Sequence, residues 1–383
     1  MNDLGGMILK KGLMTQFPCA RGRAFVCKNI GDYVQTVASR QFCPDFDQYV
    51  EQEEANLFFP KDKEKIRLIM NGWFQWRAEN WPPSEYVYPL LISMHFSPLR
   101  EKQLLTEEGI AFLKKYSPVG CRDLYTEHLL KEKGIPAYFS ACVTLTLGKN
   151  YKYLGEREGV FFVDPYFDIP LLRENNKLKV GEIFKFVFYY ISHFQCVNTL
   201  AKKQFFKEYS NTGFLDRNIK AYRPYYKAYL FYKTYKKKFE KKMLLNAEYI
   251  THWIDVDMAK ATNDQLISYA ESLVKKYARA KMVITSRIHA GLPCLGVETP
   301  VVFVANDEVT SSTGNFNTPG RLDGLLDFFR ILELSNNNFS SNDEVFNEIN
   351  LFSENTVFNN KDNWKPYAND LKAKCEKFMS DKV

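Results

Sequence analysis

Arg287 and His289 stand two residues apart where an apolar run turns into a helical pattern, in ITSRIHAGLPCLGVETPVVFV. Met282 to Thr285 predicts a strand, and a second apolar run follows from Pro300 to Val304, so the stretch reads as strand, helix, strand. Ser286 as N-cap would put Arg287 and His289 in the first turn of that helix, where unpaired backbone N–H groups and the helix dipole favour an anion. A cation pair at such a place suits a phosphate or carboxylate. An arginine paired with a nearby carboxylate, and a histidine hydrogen-bonded in the core, would account for the same two residues without a ligand.

Arg122 repeats the pattern in the other half of the chain. Pro118 to Cys121 reads as a short strand, and Asp123 caps a helix from Leu124 to Lys133 that Gly134 ends, which leaves Arg122 at a strand-to-helix junction. Arg122 and Arg287 can grip one dianion from both sides of a cleft; a plain surface ion pair of Arg122 with Asp123 is the alternative. Gly31 and Asp32 follow a strand expected over Arg23 to Cys27 and precede the helical pattern Tyr33 to Phe42. Gly31 permits close backbone approach to a ligand, and Asp32 either caps the helix or holds a substrate hydroxyl. Such a turn at the carboxyl edge of a strand is where open α/β sheets bind ligands.

A second turn signal, Asn71-Gly72, ends the strand Lys65 to Met70, and three of the five tryptophans, Trp73, Trp76 and Trp81, come just after it. Exposed indoles stack on sugar rings; buried ones staple a loop to its domain. Asp255-Val256-Asp257 looks like an acidic metal-binding triplet, but capping of the helix Leu266 to Ala278 explains it, and no metal site is expected. Eight cysteines without a C-x-x-C pair or zinc spacing read as reduced thiols.

These residues need two sheets to hold them. A chain of 383 residues with 45 % hydrophobic content has length for two domains, and its alternating strand and helix patterns predict an α/β fold. The expected divisions are an N-terminal domain over 1–150, a second domain over 151–350, and a C-terminal helical segment over 351–383 packing back on the first. Gly148-Lys149-Asn150 reads as the start of a linker, and Asn306 to Pro319 as a mobile loop over the cleft. No apolar stretch reaches membrane-spanning length and the N-terminus lacks a leader pattern, so a cytoplasmic protein is expected. Arg217 to Lys242 is basic and aromatic; it either rests on an anionic membrane or forms an amphipathic helix with a solvated lysine face. No RNA- or DNA-binding motif accompanies it.

The blocks NIGDYVQTVASRQF, VGCRDLYTEHLLKEKGIPAYFSACVTLTLG and ITSRIHAGLPCLGVETPVVFV resemble, in order and spacing, the polysaccharide pyruvyl transferase family. The resemblance implies two facing Rossmann-like domains of glycosyltransferase type B with the active site in the interdomain cleft. It also implies phosphoenolpyruvate as co-substrate, no cofactor, and a pyruvate ketal formed on a sugar hydroxyl pair during surface or capsular polysaccharide synthesis, on a lipid-linked precursor at the inner membrane face. The family's arginines and histidine fall on Arg122, Arg287 and His289. Donor binding is then expected of Arg122, Ser286, Arg287 and His289, acceptor binding of Gly31, Asp32, Asn71 and Trp73, and catalysis of His289, Arg287 and Asp32. His289, held protonated by adjacent anions, would be the acid. A nucleotide-sugar glycosyltransferase of the same fold, and a non-catalytic membrane- or RNA-binding protein, are the alternatives.

Overall fold

The computed structural model describes residues 9–16, 29–74, 77–169, 173–174, 177–178, 180–208, 223–254, 261–306 and 320–381. The strand expected at Arg23 to Cys27, the triplet Asp255 to Asp257, Trp76, residues 217–222 of the basic stretch and residues 307–319 of the expected loop lie outside them.

The apolar runs assemble into two six-stranded sheets. The first contains β1 (Lys10–Thr15), β2 (Gln48–Glu51), β3 (Ile66–Phe74), β4 (Val87–Phe96), β5 (Val119–Cys121) and β6 (Ala137–Phe139), in the order β2-β1-β3-β4-β5-β6 and parallel throughout. The second begins with β7 (Val160–Val163). A short hairpin of β8 (Arg173–Glu174) and β9 (Lys177–Leu178) follows, then β10 (Glu248–Ile250), β11 (Met282–Thr285), β12 (Val301–Ala305), β13 (Ile331–Ser335) and β14 (Asn338–Ser340). The order of this sheet is β10-β7-β11-β12-β13-β14, and only β14 runs antiparallel. Parallel strands must be covered on both faces, which is why β11 and β12 are apolar at nearly every residue and fully buried. Both halves are Rossmann-like.

One apolar core runs through both halves. Helix α1 (Ile30–Arg40) contributes Ile30, Tyr33, Val34 and Val37, which join Leu266, Ile267 and Ala270 of the helix Asn263–Arg279 and Ala290 and Leu292 of the helix Ile288–Gly296. Each large apolar side chain fully buried there stabilises by roughly 1.5–3 kcal/mol. Gly148 to Asn150, the expected start of a linker, lies in the short helix Gly148–Tyr151, and a Cβ on Gly148 would stand 2.2 Å from the Gly296 carbonyl oxygen. Glycine is needed at 148 because two backbones meet there. The helix Lys365–Ser380 returns to the first sheet, where Arg67 Nη1 donates to the Phe378 carbonyl at 2.6 Å and Tyr88 stacks on Phe378 with ring centroids 5.7 Å apart.

The basic aromatic stretch also differs from expectation. In the helix Arg223–Tyr235 the rings of Tyr226, Tyr229, Phe231, Tyr232 and Tyr235 are buried, with Phe231 and Tyr235 stacked at 4.2 Å and both edge-on to Phe162 of β7. These rings are core, out of reach of a membrane or a nucleic acid. The lysines after the helix are also engaged: Lys236 Nζ lies 3.2 Å from His193 Nε2, and Lys238 Nζ donates to the Phe346 and Ile349 carbonyls.

Candidate active site

The carboxyl ends of β4 and β5 bring the first group together. Arg122 leaves β5 with its N–H on the Met94 carbonyl at 2.7 Å, its side chain is almost fully buried, and its Nε lies 3.7 Å from Asp123 Oδ2. Asp123 caps the next helix as read, accepting from Thr126 N at 2.9 Å and Thr126 Oγ1 at 2.8 Å. Its other oxygen meets His95 Nδ1 at 2.6 Å. Burial pulls His95 down to about 4 despite that carboxylate, so the imidazole is neutral with its Nδ1–H donating to Asp123. His95 Nε2 is buried and has no hydrogen-bond partner among the described residues.

The second sheet supplies the other group. Asp164 ends β7 at φ +40°, and its Oδ2 accepts from His252 N at 2.9 Å and from Arg287 Nε at 3.0 Å. The Arg287 guanidinium also lies over the Trp253 ring, 5.1 Å from its centroid, so it is aimed before any ligand arrives. The N-cap of the helix Ile288–Gly296 is Arg287 and not Ser286. Ser286 Oγ instead accepts from Tyr166 N at 2.9 Å and donates to the Val304 carbonyl at 2.7 Å, which fixes the turn and leaves the first-turn amides without a capping side chain. His289 follows within that first turn, almost fully buried, with Nδ1 3.7 Å from Asp32 Oδ1 and Nε2 without a hydrogen-bond partner among the described residues.

Asp32 reaches His289 because α1 starts against the second half. Ile30 N donates to the His252 carbonyl at 2.9 Å, and Asn29 pairs with Trp253 as an isolated bridge. Asn29 caps α1 by accepting from Gly31 N at 3.1 Å; Asp32 lies in the first turn, which removes capping as its role. Gly31 is required by its protein neighbours, since a Cβ there would lie 2.9 Å from His252 Nδ1 and 3.1 Å from His289 Cβ. Asn71 is corrected as well. It lies within β3, fully buried, with Oδ1 accepting from Ser39 Oγ at 2.6 Å and Nδ2 donating to the Gln35 carbonyl at 3.4 Å, so its amide braces α1 and does not face the site. Trp73, also in β3, is half-buried with its ring 5.8 Å from His95, whereas Trp81 is packed edge-on against Phe74, Phe96 and Phe112 in the core.

A third arginine, not singled out in the sequence, completes the cluster. Arg321 lies over Trp73, 5.7 Å from the ring, and burial followed by repulsion from Arg122 and Arg287 pulls it down to about 10, with Asp32 and Asp123 opposing. His289 is pushed well below its ordinary value by burial and then by Arg122, Arg321, His252 and Arg287. Burial and the field of these cations favour the neutral imidazole, and an anion beside it would oppose them. Arg287 is held by Asp164 and Trp253, Arg122 lies beside Asp123 and Arg321 over Trp73, and guanidiniums placed in this way suit a phosphate and a carboxylate. Among the described residues no group of three or more His, Cys, Asp or Glu is placed to hold a metal ion.

The sequence signal for His95 and His252 was slight: a single histidine closing an otherwise apolar strand run. Arg321 had none, for it lies beyond the polar stretch that follows the third block.

A family model described as polysaccharide pyruvyl transferase matches residues 29–308, which include all of these groups except Arg321. No curated protein matches the chain.

Proposed function

The chain belongs to the polysaccharide pyruvyl transferase family, and from that membership we propose that it transfers the three-carbon unit of phosphoenolpyruvate onto a sugar hydroxyl pair as a pyruvate ketal. The observation that carries the reading is His289 Nδ1 3.7 Å from Asp32 Oδ1, with Arg122, Arg287 and Arg321 near enough to disfavour the charged imidazole. Phosphoenolpyruvate bears a carboxylate and a phosphate on one carbon, and three fixed guanidiniums can hold both.

In this reading the two Rossmann-like halves face each other as in glycosyltransferase type B, and the reaction takes place in the cleft. The donor's charge offsets the three arginines, which raises His289 toward its ordinary value and lets it carry the proton delivered to the methylene carbon. Protonation makes C2 electron-deficient. The first sugar hydroxyl bonds to C2 and gives its proton to Asp32; the second then displaces phosphate and gives its proton to His289, which had passed its own to the methylene carbon. The phosphate leaves with the electrons of its C–O bond, takes the proton held by Asp32 and is stabilised by Arg287 and the uncapped helix amides. The products are a ketal and inorganic phosphate. Trp73 offers a ring face for the acceptor sugar. The acceptor is a lipid-linked precursor of a surface polysaccharide, handled at the cytoplasmic membrane face; no helix among the described residues is long and apolar enough to cross a membrane.

The test is incubation of the purified chain with phosphoenolpyruvate and lipid-linked sugars. Release of phosphate together with an acid-labile ketal is the expected result. Consumption of a nucleotide sugar in its place, with no phosphate released from phosphoenolpyruvate, would overturn it.

A further inference from the structure

The helix Val180–Ser192 carries apolar residues on two opposed faces, in VGEIFKFVFYYIS. Phe186, Tyr189 and Tyr190 turn inward onto the helix Arg223–Tyr235, with Phe186 5.4 Å and Tyr189 5.0 Å from the Tyr229 ring. Val180, Phe184, Val187, Phe188 and Ile191 fall at three- and four-residue steps on the other face, and all are exposed: Phe188 by 80 %, Phe184 and Ile191 by 71 %. Phe194 extends the stripe past the helix end. Large apolar side chains scattered singly on a surface need no explanation; a continuous stripe of six does.

Charge decides what covers it. Residues 180–242 contain fourteen Lys and Arg against four Asp and Glu, a surplus of ten in a chain whose total is +7. Lys185, Lys202, Lys207, Lys241 and Lys242 are exposed on this helical unit, and the one acid within the helix, Glu182, lies 2.7 Å from Lys185. A second copy docked through the stripe would bring two such basic units together. An anionic lipid surface offers an apolar layer for the rings and negative headgroups for the lysines. We infer that the helix Val180–Ser192 lies along the surface of an anionic phospholipid bilayer, its exposed stripe at the acyl boundary and the exposed lysines of the same helical unit at headgroup level. Thirteen residues are too few to span the bilayer, so the helix lies on it. The membrane contact expected of Arg217 to Lys242 thus moves to a different helix, because the rings of that stretch are spent on the core.

The test uses the full chain and sedimentation with vesicles of phosphatidylcholine and phosphatidylglycerol in equal parts, beside vesicles of phosphatidylcholine alone. The chain is expected to sediment with the anionic vesicles, less so as salt is raised, and Phe184→Asp with Phe188→Asp to lower that partition about tenfold or more with an unchanged melt. Should the double Asp variant melt early, Phe188→Ser carries the same test with a milder change. A wild-type chain that stays in the supernatant, or a well-folded variant that sediments like the wild type, overturns the inference. So does a wild-type dimer that the variant converts to monomer without any vesicle binding, which would assign the stripe to a second copy. No donor or acceptor enters the assay, so its failure leaves the catalytic reading untouched.

Discussion

His289 Nδ1 lies 3.7 Å from Asp32 Oδ1, an imidazole from the second sheet's helix and a carboxylate from the first turn of α1. The contact exists because α1 begins on the second half, its Ile30 N–H bonded to the His252 carbonyl. The imidazole and the carboxylate therefore share one wall of the site, with Arg122, Arg287 and Arg321 bearing on the imidazole from both halves.

Asp32→Asn is expected to lower turnover roughly a hundredfold, as loss of a general base does. Its effect on stability should stay within the roughly 0.3–1 kcal/mol that a carboxylate contributes in a first turn. Asn29→Ala should do the reverse, costing about 1 kcal/mol through the lost cap with less change in turnover. Melting curves beside steady-state rates separate the two, and full activity in Asp32→Asn would remove that carboxylate from the reaction.

His289→Ala should lower kcat roughly a hundredfold or more while leaving the melt near that of the wild type, since its Nε2 has no hydrogen bond among the described residues to lose. Near-normal turnover in a folded variant would end its role as acid.

Three buried histidines predict how stability depends on pH. Burial pulls His95 and His252 down to about 4 and pushes His289 well below its ordinary value. An unfolded imidazole takes up its proton near ~6.5, so below that pH the unfolded chain binds more protons than the folded one and stability falls as pH drops. The loss due to His95 and His252 should run from about 6.5 to about 4 and then level off, on the order of 3 kcal/mol for each. Denaturant midpoints across that window measure it, with His252→Gln expected to give a shallower slope. A flat profile would show that these imidazoles ionise without opposing the fold.

Arg321→Lys and Arg122→Lys should each raise the KM for phosphoenolpyruvate roughly ten- to a hundredfold, the worth of a charge-assisted contact that lysine does not reproduce, with the acceptor KM unchanged. An unchanged donor KM in Arg321→Lys would reduce that residue to a neighbour of Trp73.

Trp73→Ala is expected to raise the acceptor KM and spare the donor, whereas Trp73→Phe, which keeps a ring under Arg321, should change little. Equal effects on both substrates would make Trp73 a support for Arg321 alone.

Local chemistry in the sequence was enough to find Asp123 as a cap, β11 and β12 with the helix between them, and Arg122 and Arg287 at strand-to-helix junctions, because caps, periodicity and apolar runs act over a few residues. Long-range contacts decided the rest. Asn71 looked like an exposed turn and is a buried brace for α1, since β3 continues through it. The rings of Arg223 to Tyr235 looked amphipathic and became core, while Val180 to Ser192 kept the exposed face. His95 meets Trp73 through the pairing of β3 with β4, and Arg321 comes over Trp73 and near His289 only when the two sheets close on one apolar core. That closure also sets the charge state of His289, because burial and the field of three arginines are sums over the whole fold, and no window of sequence contains them.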